Sequence, residues 1–151
     1  MMRPAALALI LTLSPALILA QEPRPTVVIA HATPKAIGEA MRDVLKEQKF
    51  RLGSASKKRI VLIQSRGNIA QSTGEIMRVR LEVGFVVEEL PQGHRVTLAD
   101  ETLIAERSAG MEQRRPQDLD RNRQSYQKLL DQAKAALEPA AAPDTAGAGA
   151  P

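Results

Sequence analysis

The chain has 151 residues, 21 of them basic and 17 acidic, a formal net charge of +4, no cysteine and no tryptophan. Without cysteine there are no disulfides, thiolate metal sites, thiol nucleophiles or lipid anchor on an N-terminal cysteine. The basic excess is mild, acidic residues run through every segment and no stacking aromatic stands beside the arginines, so the pattern argues against a nucleic-acid partner.

One basic residue, Arg3, precedes an apolar run from Ala5 to Leu19 that is broken by Thr12, Ser14 and Pro15 and closes at Ala20 before Gln21-Glu22. A spanning helix needs about 20 continuous apolar residues. This run is shorter, carries a proline and ends at a small residue, so residues 1–20 read as a secretory signal peptide cut after Ala20. The mature chain is then expected to be periplasmic or secreted, with no stable membrane insertion. Residues 21–25 form a linker with two prolines. Residues 139–151 contain only Ala, Pro, Gly, Thr and one Asp, a composition with nothing large to bury, and read as a disordered tail. What remains, 26–138, is long enough for one modest core.

Thr26 to Ala30 is β-branched and apolar and predicts the first strand, with His31 at its exit. Thr33-Pro34 supplies a helix start: a hydroxyl for the cap and a proline at the first position, where the missing N–H is no loss. Ile37, Ala40, Met41, Val44 and Leu45 then recur at spacings of three and four and line one helical face. Phe50-Arg51-Leu52 resumes a short alternation that stops at Gly53-Ser54. Lys57-Lys58-Arg59 leads into the apolar strand Ile60 to Ile63, and the basic run reads as a solvated turn. Arg66 to Gly74 is polar, glycine-bounded and aperiodic, and predicts a loop.

The longest signal is Glu75 to Arg107, alternating strands folded back at Leu90-Pro91-Gln92-Gly93. Met77, Val79, Leu81, Val83, Phe85 and Val87 share the core face, and Arg78, Arg80, Glu82 and Glu88 the other. Counting from the turn pairs Val87 with Val96 and Phe85 with Leu98. Continued unbroken, it would set Asp100 inside and Glu82 against Glu101. A β-bulge at Asp100-Glu101 is therefore expected, turning both carboxylates to water and pairing Leu81 with Leu103 and Arg78 with Glu106. Gly84 lies across from this point and would permit a bend. Glycine at position 93 is expected to take a left-handed turn position.

Ser108-Ala109-Gly110 ends the strand, and Met111 to Pro116 reads as a basic connector. A helix follows from Gln117, with Leu119, Tyr126, Leu129, Leu130, Ala133 and Leu137 in one stripe and Asp118 and Asp120 in the first turn. The order strand, helix, two short strands, long hairpin, helix predicts an α+β fold, an antiparallel sheet with both helices on one face.

Reactive groups are sparse. His31 and His94 are the only histidines, with no cysteine and no HxxxH or HxH spacing to build a metal site. Ser54, Ser65, Ser72, Ser108 and Ser125 show no nucleophile-elbow spacing. Of the carboxylate pairs, Glu88-Glu89 and Asp100-Glu101 would point to opposite faces of a strand, and Asp118/Asp120 answer helix polarity. The expectation is a chain without catalytic, cofactor or metal residues.

The strand before Thr33-Pro34, the helix Ile37 to Leu45, the Phe50-Arg51-Leu52 re-entry and the terminal helix carrying Tyr126 and Leu129 together resemble the small periplasmic α+β domains of envelope-assembly accessory proteins. The type is the accessory lipoprotein of the outer-membrane β-barrel assembly machine (BamC-like), and the resemblance spans about Thr26 to Leu137. This chain departs from the type in lacking the lipid-bearing cysteine. The sparse reactive groups and the compact sheet-and-helix plan together lead to the expectation of a soluble exported interaction module that binds another envelope protein. The sheet edges or the groove beside the terminal helix would then receive the partner. The second expectation is a carrier of a small apolar ligand held between sheet and terminal helix, lined by Val83, Phe85, Leu98, Leu129 and Leu130.

Overall fold

A computed structural model describes residues 23–139. The apolar N-terminal run and nearly all of the Ala/Pro/Gly tail lie outside the described residues. The elements are β1 (Thr26–Ala30), α1 (Pro34–Val44), β2 (Phe50–Ala55), β3 (Arg59–Ala70), β4 (Ile76–Leu90), β5 (Gly93–Glu106), β6 (Glu112–Pro116) and α2 (Arg123–Leu137). All six strands pair antiparallel in the spatial order β1-β5-β4-β3-β2, and β6 adds to β5 beyond the end of β1. The architecture is α+β, with one strand more than the sequence pattern indicated.

The apolar alternation of β4 places Leu81, Val83, Phe85 and Val87 in one cluster with Ile37 and Met41 of α1 and Tyr126, Leu129 and Leu130 of α2. Both helices therefore cover the same face of the sheet. Thr33 caps α1 as its sequence requires, its Oγ1 accepting from the Ala36 N–H at 3.2 Å. The stretch after Arg107 is not a connector. Gln113 to Arg115 pair with Leu103 to Ala105, and every residue of β6 is exposed, so no hydrophobic period existed to reveal the strand.

Charge holds β6 instead. Arg80 on β4 reaches Glu82 at 3.0 Å, Glu106 on β5 at 3.3 Å and Glu112 on β6 at 2.6 Å, and Arg114 meets Glu112 at 3.0 Å. Arg80, and after it Arg114, hold the Glu112 carboxyl below the usual carboxylate range. Ile104 faces Arg80 across one ladder and Arg114 across the other, and is fully buried on the face away from the helices. The aliphatic stems of long cations can cover such a side chain while their heads stay wet.

The hairpin pairs Val87 with Val96, Phe85 with Leu98, Leu81 with Leu103 and Arg78 with Glu106, as the pattern predicts. The register shift falls at Ala99, one residue ahead of the expected place. This separates the two carboxylates. Asp100 pairs with Gly84 on the outer face and binds Arg59 at 2.8 Å, while Glu101 pairs with Val83 on the helix-facing side and is 6% exposed. The expectation that both turn to water is corrected. Gly84 leaves room for the Arg59 guanidinium, which lies where a Cβ would stand.

The predicted loop from Arg66 to Gly74 is mostly strand: β3 runs through to Ala70 with one extra residue at Arg66, and the turn occupies only Gln71 to Gly74. β2 also continues past Gly53, with a register shift between Leu52 and Ser54. The terminal helix starts later than Gln117. Asp118 accepts from the Asp120 N–H at 3.0 Å to open the single turn Leu119–Asn122, and α2 follows.

The outer edge of β1 is held at both its ends by side chains of α2 and its C-terminal cap. Gln127 accepts from the Thr26 N–H at 3.1 Å and donates to the Thr26 carbonyl at 3.0 Å, and the Ala30 N–H donates to Glu138. Side chains of a helix thus occupy backbone groups that would otherwise invite another strand. Replacing Gln127 and Glu138 together by alanine should lower stability by about 1–2 kcal/mol. Urea denaturation reads that shift, and sedimentation at rising concentration should reveal self-association through the opened edge.

Candidate functional site

Of the clefts that gather polar side chains among the described residues, two bear on the chemistry. The first brings together the residues singled out for chemistry. His31, Lys57, Glu89 and His94 line a surface depression of about 420 Å³ where the end of β1 meets the hairpin turn. The ladder sets Glu89 opposite His94, and His31 leaves the strand with a φ of 57°. The His94 Nδ1 is buried without a protein partner. Ser54, Ser65, Ser72, Ser108 and Ser125 do not border this depression, and among the described residues no group of three His, Cys, Asp or Glu side chains converges to hold a metal ion. Both histidines border the same depression.

The other carboxylates are occupied structurally. Glu88 binds Arg95 at 2.9 Å, Asp100 binds Arg59, and Asp120 binds Arg123. The basic run Lys57-Lys58-Arg59 is a turn held by the Ser56 hydroxyl, which accepts from the N–H groups of Lys58 and Arg59 at 3.3 and 3.1 Å.

The second cleft, of about 340 Å³, lies between the end of α1, the start of α2 and the helix-facing side of β3, β4 and β5. Leu45, Phe50, Leu81 and Leu129 supply its apolar wall, and Gln64, Arg66, Glu101 and Tyr126 its polar groups. Glu101 arrives there because of the bulge at Ala99. Its carboxylate accepts from the Tyr126 hydroxyl and, at 3.5 Å, from Asn122. The Gln64 amide is oriented by its Nε2, which donates to the Gln48 carbonyl at 2.6 Å, and its Oε1 is left buried with no partner. Arg66, the extra residue of the β3 bulge, is exposed at the mouth.

Burial and then the Glu101 carboxylate push the Tyr126 hydroxyl well above its ordinary value of about 10, and Arg66 opposes this more weakly. The folded state therefore favours the neutral phenol. That contribution is whole below the unfolded value and is lost as pH climbs above it, at about 1.4 kcal/mol per unit. Tyr126 is the only tyrosine, so phenolate absorbance reports it alone. We expect ionisation to coincide with alkaline unfolding followed by far-ultraviolet dichroism. Ionisation near the ordinary value with the fold intact would contradict the burial of this hydroxyl against Glu101.

No protein-family model matches the chain, and no curated protein matches it. The first cleft was half legible, since both histidines stood at turns next to strand ends. The second was not: Glu101 reads as a surface carboxylate until the bulge is placed, and Gln64 and Arg66 look like a strand end and a loop. The usable signal was a single carboxylate interrupting the inward alternation of the second hairpin strand, combined with the chain's only tyrosine on the buried stripe of the last helix.

Proposed function

We propose that this chain is an exported, non-enzymatic interaction module of the cell envelope that binds an extended segment of another protein by adding it to the sheet at β3. One observation carries the reading. β2 pairs with β3 only as far as Phe50 opposite Gln64, whereas β3 continues to Ala70 with β4 on its other side. Along Ser65 to Ala70 the sheet therefore has a step, an edge several residues long with backbone groups available to a partner strand. All six of these residues are exposed, Ile69 to 52%.

Two other edges, those of β1 and β6, are less suited to the role. The side chains of Gln127 and Glu138 occupy β1, and β6 carries Arg114, Arg115 and Pro116, the charged and proline residues that blunt an edge. Export rests on the apolar N-terminal run, and the envelope setting on the resemblance of the element order. Among the described residues no helix is long and apolar enough to cross a membrane. The apolar-carrier reading has less support, because of its five expected lining residues Val83, Phe85, Leu98 and Leu130 are fully buried in the shared core and Leu129 alone borders the cleft beside α2.

The test is a photo-cross-linking amino acid at position 68 of the full chain in its own host, with the same group at position 113 on β6 as control. A protein-sized adduct from position 68 and none from position 113 is the expected result. Equal adducts from both, or none from either, would overturn addition at β3.

A further inference from the structure

We infer that the cleft holding Glu101 and Gln64 is a subsite for a cationic side chain, the ammonium of a lysine or the guanidinium of an arginine, presented by the segment that adds to β3. The deep groups of this cleft are acceptors. Glu101 is 6% exposed, and the side chains that donate to it, Tyr126 and Asn122, are both neutral. A carboxylate offers roughly four acceptor positions, so these two donors leave capacity unused. Beside it the Gln64 Oε1 is buried with no partner, and the bond from Nε2 to the Gln48 carbonyl prevents the amide from turning to present its donor instead. A buried acceptor without a donor is costly, and so is a buried charge without a counter-charge. A cation satisfies both at once, which neither an apolar nor an anionic group does.

The walls fit the rest of such a side chain. Leu45, Phe50 and Leu129 would line the passage of an aliphatic stem, the arrangement in which lysine and arginine bury their methylenes and deliver only the head to polar groups. The position fits as well. Gln64 is the last residue that β2 covers and Ser65 begins the open step, with Arg66 next to it, so the cleft lies beside the start of the free edge on the helix-facing side. Side chains of an added strand alternate between faces, so one of them points to this side where the cleft opens. Arg66 stands exposed at the mouth and repels a cation, an effect that solvent screens.

The presenting segment rests on the strand-addition reading, whereas the subsite itself is testable without it. Amide and side-chain nitrogen NMR spectra of the full chain would be titrated with the N-acetyl N-methylamides of lysine, norleucine and glutamate. We expect saturable shifts for the lysine compound at the Gln64 side chain, Asn122 and Tyr126, with norleucine at least about tenfold weaker, the size of one charged hydrogen bond. Glu101→Gln should abolish the lysine preference while leaving the spectrum folded. Arg66→Ala, at an exposed position, should tighten lysine binding. Equal shifts for lysine and norleucine, tightest binding of the glutamate compound, or weaker lysine binding in Arg66→Ala would each overturn the cationic subsite. A lysine preference without a cross-link from position 68 would keep the subsite and remove strand addition, and the converse pair of results would do the reverse.

Discussion

Gly93→Ala and Gly93→Val should each destabilise the domain by about 3 kcal/mol, a large share of the stability of a chain this size. Gly93 pairs with Ala30 where the hairpin turn passes the end of β1, and a Cβ there would overlap the Ile29 carbonyl oxygen and stand 2.8 Å from the Ala30 Cα. The obstacle is backbone, so no rotamer change relieves it. Its φ of 156° is also a positive value that side-chain-bearing residues rarely adopt, so backbone strain, as the turn sequence implied, adds to the overlap. Because the collision begins at the first side-chain atom, alanine should cost nearly as much as valine. Gly67→Ala makes the internal comparison. That glycine has a φ of 91° but nothing within 4 Å of the added atom, so only the backbone penalty of about 1 kcal/mol applies. Urea denaturation of the three variants separates the two causes. A mild Gly93→Ala would mean that β1 can move away from the turn.

Phe85→Ala should cost about 4 kcal/mol, at the upper part of the range for emptying a buried aromatic site. Phe85 is fully buried at the centre of the helix-facing side, and its ring meets that of Tyr126 edge to face, with centroids 6.3 Å apart and planes at 78°. Alanine removes the aromatic contact and leaves a cavity under α2 that a single sheet face and one helix cannot close. The effect should extend to the cleft, because Tyr126 loses the partner that positions it for Glu101. In alkaline titration the phenol of this variant should ionise at a lower pH than in the parent. A loss of stability with an unchanged Tyr126 titration would show that Glu101 and the surrounding helix alone hold the hydroxyl.

The residues whose periodicity was strongest were also those whose places were readable in advance. Six inward positions of β4, the stripe of α2 and the Thr33 cap announce themselves because burial forces an unbroken period and a cap needs a side-chain oxygen next to the first turn. The hairpin register followed from the discomfort of Asp100 and Glu101 in an uninterrupted ladder. The error was in the remedy: a shift one residue earlier, at Ala99, relieves Asp100 alone and commits Glu101 to the interior, where Tyr126 and Asn122 receive it. That one residue decides whether the chain has a polar cleft. β6 and the far half of β3 were unreadable for the opposite reason. Their residues are almost all exposed, their pairing is made by backbone groups, and in β6 by the Arg80 cluster as well, so no hydrophobic pattern marks them. The step in the sheet depends on those two facts together: β3 must continue past Gln64, and β2 must not.

Amide hydrogen exchange, followed by mass spectrometry on the full chain alone and then with its cross-linked partner, tests the central claim most directly. In the free protein the amides of Ser65 to Ala70 should exchange quickly wherever they point away from β4, while Thr26 to Ala30, closed by Gln127 and Glu138, exchange slowly. On binding, protection should appear in Ser65 to Ala70 and little elsewhere in the sheet. Protection that appears instead along β6 or on the exposed side of α2, with Ser65 to Ala70 unchanged, would contradict strand addition at β3.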